Sequence, residues 1–368
     1  MRPTWADIDL GAIGANVEAL AAQSAPAQVC AVVKADGYGH GAVPVARAAV
    51  EAGATWLAVA LVEEGRILRD AGVRAPILTL SEPRPLEMVE VVEYGLTPTV
   101  YSGEGLAAAA AAAKQRRIRL AIQLKIDTGM GRVGARPEDA VPLAGAIADK
   151  ADLELEGVWT HCAIADVPGD PYTSMQLDVY DRVLADLADA GHELAWRHAA
   201  NSAVAIAHER GRYDLVRCGI AVYGIPPSPS LAGAISLRPA LRLRSQISFV
   251  KRVSAGDRIS YGLRWTAPTD TTIATVPIGY ADGVRRRSDL AGVEVLIAGK
   301  RYPIVGTVTM DQLMVDVGDD DISTGAEVVL IGRQDGDEIT AEEVAGRLDT
   351  IGYEVVCDIE SRVSRRYH

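Results

Sequence analysis

The chain has 368 residues, of which 49% are hydrophobic and 23% charged, as in an ordinary soluble globular protein. Its formal net charge of −12, from 37 basic and 49 acidic side chains, argues against nucleic acid or acidic lipid as a partner. A single core rarely grows to this size, so we expect two domains. No apolar stretch approaches the roughly 20 residues of a membrane span, and the first residues lack the apolar core of a signal peptide. These features predict a cytoplasmic protein.

Short β-branched runs alternate with longer alanine-rich stretches up to about residue 236. Strands and helices that alternate at this spacing predict parallel βαβ units. Roughly eight such units over about 230 residues fit a (β/α)8 barrel better than a doubly wound sheet. The predicted strands are 30–33, 56–61, 77–80, 120–126, 155–160, 194–197 and 214–216, and the clearest helices are 106–116 and 174–190.

A proline-rich segment, IPPSPS at 225–230, interrupts the barrel pattern. Beyond about residue 237, runs such as LRLRSQI at 241–247 alternate with period two, which is typical of antiparallel strands. Further strands are predicted at 271–278, 293–297 and 328–331, and a helix only at 340–347. The chain is therefore predicted to form a barrel domain over 1–236 and a mainly antiparallel β domain over 237–368, with which the first ~10 residues could pack.

A lysine follows the first barrel strand, in the string VKADGYGHG at 33–41. Lys34 stands where the strand ends of a barrel meet a ligand. Desolvation and nearby cations lower the pKa of a lysine in such a place, and only a neutral amine attacks a carbonyl carbon. The glycines at 37, 39 and 41 permit tight turns and a close approach of the backbone to a ligand.

The string GMGRVG at 129–134 imitates a dinucleotide-binding fingerprint, because it follows a strand and precedes Asp152 by about twenty residues. In that fingerprint a helix opens within the glycines and holds the pyrophosphate. Here the helix start signal, Pro137-Glu138-Asp139, falls after the last glycine, and its carboxylates would repel phosphate. Dinucleotide binding is therefore the weaker hypothesis for this loop.

Cysteine and histidine positions do not predict a metal site. The four cysteines are widely scattered with no CxxC pair, and no second histidine or cysteine stands at metal-ligand spacing from His161. Three cysteines lie in apolar runs, so we expect buried free thiols in a reducing compartment. The four are Cys30, Cys162, Cys218 and Cys357.

At least six motifs, in order along the chain, resemble those of the alanine racemases. This family uses pyridoxal 5′-phosphate (PLP, fold-type III), and the resemblance implies a barrel followed by a β domain, assembled as a homodimer with shared active sites. Its members supply D-alanine for peptidoglycan. The motifs are VKADGYGHG at 33–41, LKIDTGMGR at 124–132, THC at 160–162, ANSA at 200–203, RCGI at 217–220, SYG at 260–262, VPIGYADG at 276–283 and VTMDQ at 308–312.

The resemblance also implies a role for each matched residue. Lys34 would bind PLP, and Lys34 and Tyr261 of the partner subunit would be the two bases on opposite faces of the α-carbon. A hydrogen-bonded chain through His161 and Arg217 would lower the effective pKa of that tyrosine. Lys125 matches a lysine that is carbamylated in some members, the alternative being a buried ion pair with an aspartate. The implied cofactor contacts are Tyr38, His161, Asn201, Ser202, Arg217, Gly219 and Ile220, and the implied substrate contacts are Arg132, Tyr280 and Met310.

Arg217 narrows the expected chemistry. Most PLP enzymes place a carboxylate on the pyridine nitrogen, which keeps that nitrogen protonated and makes the ring a strong electron sink. Arginine cannot accept that proton, because its own pKa is far above neutrality. The weaker sink suits a reaction that returns a proton at once to the α-carbon, and it disfavours transamination.

Three alternatives stay open from the sequence. Ser361 and Ser364 replace a tyrosine and a proline of many members, and a smaller residue at 361 would widen the pocket enough for serine. A non-catalytic PLP carrier shares the barrel and its lysine but lacks the β domain. A fold-related decarboxylase would place an acidic residue at the pyridine nitrogen, where this chain has Arg217.

Overall fold

The computed structural model describes residues 2–368. These residues form two compact units, each with its own core. The larger unit comprises Gly11–Gly37 and Ala42–Arg238. The smaller one comprises the described residues up to Leu10, together with Tyr38–Gly41 and Pro239–His368. The first strand, β1 (Thr4–Ile8), belongs to the smaller unit.

The larger unit is built on parallel strands, each a short run that is mostly buried. Within residues 11–37 and 42–238 they form two sheets, with the strand orders β4-β3-β2-β9 and β5-β6-β7-β8. A parallel bridge between Leu78 and Thr97 joins the sheets on one side, and on the other Asp214 N–H donates to the carbonyl of Arg197. The strands are β2 (Gln28–Val32), β3 (Trp56–Val59), β4 (Ile77–Thr79), β5 (Thr99–Val100), β6 (Leu120–Lys125), β7 (Leu153–Trp159), β8 (Trp196–His198) and β9 (Leu215–Cys218).

Helices alternate with these strands, so the predicted (β/α)8 class is confirmed. Local signals fix their ends: the Ser102 side chain accepts from Gly105 N–H to cap α5, and Arg117 ends that helix in the left-handed region. The helices are α1 (Leu10–Ser24), α2 (Ala42–Glu51), α3 (Val62–Asp70), α4 (Met88–Glu93), α5 (Gly103–Arg116), α6 (Ala140–Ala148), α7 (Tyr172–Asp189) and α8 (Ser202–Ala207).

Two sequence predictions for the barrel need correction. Strand β5 is missing from the predicted set, because two residues are too few to show a period. Arg217 was predicted to follow the last strand, whereas it lies inside β9. Its side chain therefore belongs to the barrel wall and is almost completely buried.

The smaller unit is mainly antiparallel, as predicted, and β1 lies inside its largest sheet, next to the edge strand. β1 pairs antiparallel with β10 and parallel with β20. The strands after residue 239 are β10 (Leu241–Gln246), β11 (Phe249–Val253), β12 (Arg258–Ile259), β13 (Trp265–Thr266), β14 (Thr271–Val276), β15 (Glu294–Ile297), β16 (Lys300–Pro303), β17 (Leu313–Gly318), β18 (Glu327–Gln334), β19 (Asp337–Ile339) and β20 (Ser364–Tyr367). The alternation predicted for β10 is confirmed, since Leu241 and Leu243 are buried while Arg242 is exposed.

The smaller unit holds a second helix that the sequence did not predict. α9 (Ala341–Arg347) matches the predicted helix at 340–347, and α10 (Gly352–Cys357) follows it after a short turn. α10 is a single short segment without a clear apolar stripe, so periodicity gives no signal for it.

Two further expectations concern cysteines and membranes. Cys30, Cys162 and Cys218 are buried free thiols, as predicted. Burial raises the pKa of the Cys162 thiol to about 11, so this neighbour of His161 stays protonated near neutral pH. Among residues 2–368 no helix combines the length and apolar character that crossing a membrane requires.

Candidate active site

Lys34 follows β2 and opens a left-handed turn of the backbone. Ala35 and Asp36 have φ values of 51° and 50°, a region that residues with a Cβ rarely occupy. Side chains hold this conformation: Ala35 N–H donates to Glu64 Oε1 at 2.6 Å, and Ala42 N–H donates to Asp36 Oδ1 at 2.8 Å. The sequence places Lys34 at the end of a strand, and the turn fixes the direction in which the chain leaves it.

Lys125 ends β6 and is buried against an aromatic ring. Its Nζ lies 4.4 Å from the centroid of the Trp159 ring, and Arg217 Cζ lies 4.5 Å from the same centroid. Burial, and then the charges of Arg217 and Arg132, lower the pKa of Lys125 to about 7. Among the described residues no carboxylate lies within ion-pair distance of Lys125. The charge of Asp127 opposes part of this lowering of the pKa, so the alternative of an interaction with an aspartate stays a prediction.

Arg217 is held entirely by neutral groups. Its Nη1 donates to His198 Nδ1 at 2.7 Å, and its Nη2 donates to the carbonyls of Thr160 at 2.7 Å and Ala199 at 3.1 Å. The same Nη2 lies 3.4 Å from His161 Nδ1. Burial lowers the pKa of Arg217 to about 10, which leaves the guanidinium charged at neutral pH. The barrel thus encloses a positive charge with which no carboxylate of residues 2–368 forms an ion pair.

The two histidines beside Arg217 are neutral acceptors. Burial, and then the charge of Arg217, hold the pKa values of His161 and His198 well below their usual range. His198 Nε2 lies 2.7 Å from Gln123 Oε1, whose amide nitrogen donates to Glu156 Oε2 at 3.2 Å. These partners assign the proton of His198 to Nε2, and by the same reasoning that of His161 to Nε2.

A buried hydroxyl and backbone amides come together after β8 and β9, where the sequence predicted a phosphate site. Ser202 Oγ accepts from Gly219 N–H at 3.0 Å and from Ala221 N–H at 3.4 Å. Its own hydrogen is thereby left to donate. Ile220 opens the adjoining 3-10 turn, and the Asn201 side chain caps α8 by accepting from Val204 N–H at 3.0 Å.

The glycine loop after β6 is closed by its own carboxylate. Gly129 N–H and Gly131 N–H donate to the carboxylate of Asp127 at 3.0 Å or slightly more. α6 begins well after the last glycine. A pyrophosphate would meet a carboxylate in place of free amides, which disfavours dinucleotide binding. Arg132 lies in this loop with its side chain exposed.

Sequence reasoning missed four side chains that build the barrel site. The Trp159 ring packs against Lys125 and Arg217. His198 accepts from Arg217, and Gln123 in turn bonds to His198. Gln176 of α7 fixes the backbone beside the site, because its Nε2 donates to the carbonyl of His161 at 3.2 Å. The available signal was a polar residue at alternate positions of a buried strand, as at Gln123 and Lys125.

In the smaller unit, the predicted substrate and base residues lie on exposed loops. The side chains of Tyr261, Tyr280 and Met310 are 71%, 41% and 51% exposed. Tyr280 N–H donates to the carbonyl of Thr309 at 2.9 Å, and Ala281 N–H donates to that of Met310 at 3.1 Å. The loops that carry Tyr280 and Met310 are therefore bonded to each other.

A buried carboxylate that the sequence did not single out supports these loops. Asp282 accepts from both terminal nitrogens of Arg2, at 2.9 and 2.5 Å, and lies 3.5 Å from Arg362 Nε. Arg362 Nη2 in turn donates to Asp311 Oδ1 at 2.6 Å, beside Met310. The exposed Ser361 precedes Arg362 in the same turn.

Tyr38 belongs to the residues of the smaller unit. Its φ of 51° continues the left-handed turn, and its ring centroid lies 6.3 Å from that of Tyr353. His40 Nδ1 lies 2.8 Å from the carbonyl of Tyr38. This segment is thus fixed by an aromatic neighbour and by its own histidine.

Comparison with known proteins gives one family over nearly the whole chain. The family models for the alanine racemase N-terminal and C-terminal domains match residues 8–227 and 240–367. The chain is 52% identical to the alanine racemase of Symbiobacterium thermophilum, over 100% of this chain and 97% of that protein. It is 44% identical to that of Desulforamulus reducens, over 100% and 99%. The crystal structure of alanine racemase from Streptomyces lavendulae matches with a TM-score of 0.95 and 41% identity, covering 100% of this chain and 97% of the other.

Proposed function

Since the chain belongs to the alanine racemase family, we propose that it is itself a PLP-dependent alanine racemase that interconverts L- and D-alanine. The observation that carries this proposal is the Arg217 cluster. A permanent cation, held only by neutral partners, lies in the barrel that Lys34 borders. A cation in the place of a carboxylate favours proton return to the α-carbon.

The donors of the barrel fit PLP. The cofactor carries a phosphate and a phenolic oxygen, and both need donors or positive charge. Ser202 Oγ has a hydrogen left to donate beside the Gly219 and Ile220 segment, and Arg217 supplies a positive charge that neutral groups hold. We propose that Tyr38, Ser202, Gly219 and Ile220 contact the phosphate of PLP. Asn201 would hold the start of α8, which its side chain caps.

When bound, PLP withdraws electrons from the α-carbon and so acidifies its proton. Lys34 holds and moves a proton on one face of that carbon, and Tyr261 of the partner subunit does so on the other. His161 presents Nε2–H, since its Nδ1 accepts from Arg217, and that hydrogen would stabilise a tyrosinate oxygen. Arg132 and Met310 would contact the substrate, and Tyr280 would line the mouth of the site.

We propose a homodimer, and the surface around Tyr261 supports this proposal. Phe249, Leu263 and Met310 are about half exposed, and Tyr261 is more so. Phe249 and Tyr261 line one surface cavity, and large exposed apolar side chains that lie together favour an interaction surface. A second copy of this chain would cover these side chains and receive Tyr261 and Met310 into its own site.

Lys125 is proposed to be carbamylated. A carbamate forms only on a neutral amine, and the lowered pKa of about 7 makes a large neutral fraction available at physiological pH. The product carries a negative charge among Arg217, Arg132 and Lys34, whose charges repel the lysine ammonium. The carbamate would therefore replace a repulsion by an attraction and orient Arg132.

Three broader proposals complete this picture. The buried reduced thiols favour a cytoplasmic enzyme, and D-alanine production suits the supply of peptidoglycan precursors. We also propose that the boundary between the two domains lies between residues 236 and 237 of the sequence. A carrier role is not favoured, because both racemase domain models match. Serine racemisation is not favoured either, because the similar curated proteins are named alanine racemases.

The direct test is chiral analysis of alanine incubated with the purified, PLP-loaded protein. Starting from either enantiomer, we expect equal final amounts of both, because the two have the same free energy. L-serine, run in parallel, should turn over far more slowly. Bound PLP without turnover would support a carrier instead, and release of CO₂ would support a decarboxylase.

A further inference from the structure

The turn that carries Tyr261 is strained and needs support. Ser260 and Leu263 have φ values of 65° and 47°, and Gly262 between them has 76°. Left-handed conformations at residues with a Cβ persist only where the surroundings fix them. Gly306 permits the approach of a supporting segment, because a Cβ there would lie 3.1 Å from the Cβ of Ser260.

Thr307, on that segment, bonds to the turn at two points. Ser260 Oγ donates to the carbonyl of Thr307 at 2.5 Å, and Thr307 Oγ1 donates to the carbonyl of Tyr261 at 2.8 Å. Arg264 then bonds to the same hydroxyl, with Nη2 at 2.8 Å and Nε at 3.2 Å from Thr307 Oγ1. A hydroxyl that accepts from a guanidinium has its own hydrogen fixed, and its bond to the Tyr261 carbonyl is strengthened.

A carboxylate holds the other side of Arg264. Arg264 Nη2 lies 3.8 Å from Asp289 Oδ2, and the Asp289 side chain is only 8% exposed. Its Oδ1 is buried without a hydrogen-bond partner among the described residues. An under-satisfied carboxylate draws the guanidinium toward itself and limits its freedom. Asp289, Arg264 and Thr307 thus form a chain that ends on the backbone of Tyr261.

We propose that Thr307 and Arg264 are positioning residues for Tyr261, which they hold at the angle needed for proton transfer on its face of the substrate. The inference rests on the proposed function, because it gives Tyr261 the role of a base. Proton transfer depends on donor–acceptor geometry within a fraction of an ångström, so a loosened turn slows the step made by Tyr261. The step made by Lys34 depends on a different turn.

The chain offers a matched control. Arg252 Nη1 donates to Thr272 Oγ1 at 3.2 Å and to Asp319 Oδ1 at 2.6 Å. This arrangement has the same three residue types but no bond to Tyr261. Thr272→Val therefore removes an equivalent hydroxyl without touching the turn.

The test compares Thr307→Val, Thr307→Ser and Thr272→Val in the PLP-loaded protein. For Thr307→Val we expect kcat/KM to fall by about threefold to thirtyfold, since one charge-assisted hydrogen bond is lost. Thr307→Ser keeps the hydroxyl and should stay within about twofold of the unsubstituted protein, as should Thr272→Val.

Deuterium at the α-carbon separates positioning from a general structural defect. Tyr261 removes the proton of L-alanine and Lys34 that of D-alanine. In Thr307→Val the isotope effect on kcat/KM should therefore rise for α-deuterated L-alanine and fall for α-deuterated D-alanine. A defect in folding lowers the amount of active protein and leaves both isotope effects unchanged.

If Thr307→Val does not fold, Arg264→Met tests the same chain from its half-exposed end and should give the same pattern with a smaller amplitude. Unchanged isotope effects in folded variants, or an unchanged rate, would overturn the positioning role while the racemase stands. An unsubstituted protein that does not racemise alanine would instead overturn the proposed function, and this inference with it.

Discussion

The barrel site and the exposed loops of the smaller unit differ in burial and in charge. In the barrel, Lys125 and Arg217 are buried against Trp159, and every bond to Arg217 comes from a neutral group. In the smaller unit, Tyr261 is 71% exposed, and its backbone carbonyl accepts from Thr307. The barrel site therefore holds buried positive charge, while the loops of the smaller unit carry side chains that are exposed to solvent.

This contrast fits the proposal that the reaction uses two different bases, Lys34 and Tyr261. An anionic cofactor needs charge and donors fixed before it binds, and a buried cluster supplies them at low dielectric constant. A base for the opposite face of the substrate must come from another surface. The bond from Thr307 reaches the backbone carbonyl of Tyr261 and leaves its phenol exposed, as the proposed entry into a partner's site requires.

Lys34→Ala removes the barrel's reactive group and should have the largest effect. We expect racemisation to fall by at least about 10⁴-fold, because both covalent attachment and one base are lost. Absorbance of bound PLP after gel filtration should fall as well. Lys114→Ala, on the exposed end of α5, is the control and should match the unsubstituted protein. Substantial racemase activity in Lys34→Ala would contradict the proposed role of Lys34 in the reaction.

Tyr261→Phe tests the exposed half of the contrast. Racemisation should fall by about 10²- to 10⁴-fold, since the base on one face is lost. In D₂O the variant should still exchange the α-proton of D-alanine, through Lys34, while exchange of L-alanine stops. Proton NMR of each enantiomer measures this directly. Equal exchange of the two enantiomers would contradict the two-base scheme.

Arg217→Lys tests whether the buried site needs the planar guanidinium and its several hydrogen bonds, or only a positive charge. Lysine keeps the charge but cannot bond His198 and two carbonyls together, so we expect the free energy of unfolding to fall by about 2–4 kcal/mol. Urea unfolding measures this loss. Arg252→Lys, at an exposed arginine, should cost under about 0.5 kcal/mol. Similar losses of unfolding free energy at both positions would mean that the buried site does not require the guanidinium of Arg217.

The pH dependence of Lys125 should give the smallest effect. With ¹³C-bicarbonate, a carbamate signal in the NMR spectrum should grow as the pH rises through about 7, where burial and Arg217 place the pKa of the lysine. Acidification should remove the signal, because the amine then becomes protonated. Lys125→Arg is the control and should show none. A protein without the signal at pH 8 or above would be uncarbamylated at Lys125.

Much of the fold was predictable because its elements are periodic. The barrel strand β6 is a buried apolar run, and β10 of the smaller unit alternates buried and exposed residues. Both patterns are visible in the sequence alone. The exceptions, β5 and α10, are too short to repeat a pattern. The position of Lys34 at a strand end followed from the same reasoning.

The interior of the site was less predictable, because distant residues build it. His198 and Gln123 are 75 positions apart, and Arg264 and Thr307 are 43 apart. Each looks locally like an ordinary polar residue, and only the folded barrel strands or the folded loops bring the partners together. The resemblance identified groups expected to touch the cofactor or substrate, but it gave no signal for those that hold them.

The most direct test is complementation between two inactive variants, Lys34→Ala and Tyr261→Phe. If each site takes Lys34 from one chain and Tyr261 from the other, a mixed dimer has one intact site. After mixing under conditions that allow chains to exchange, half the dimers would be mixed, and activity should return to about one quarter of the unsubstituted level. No recovery, despite exchange shown by differently tagged chains, would contradict a site shared between two copies.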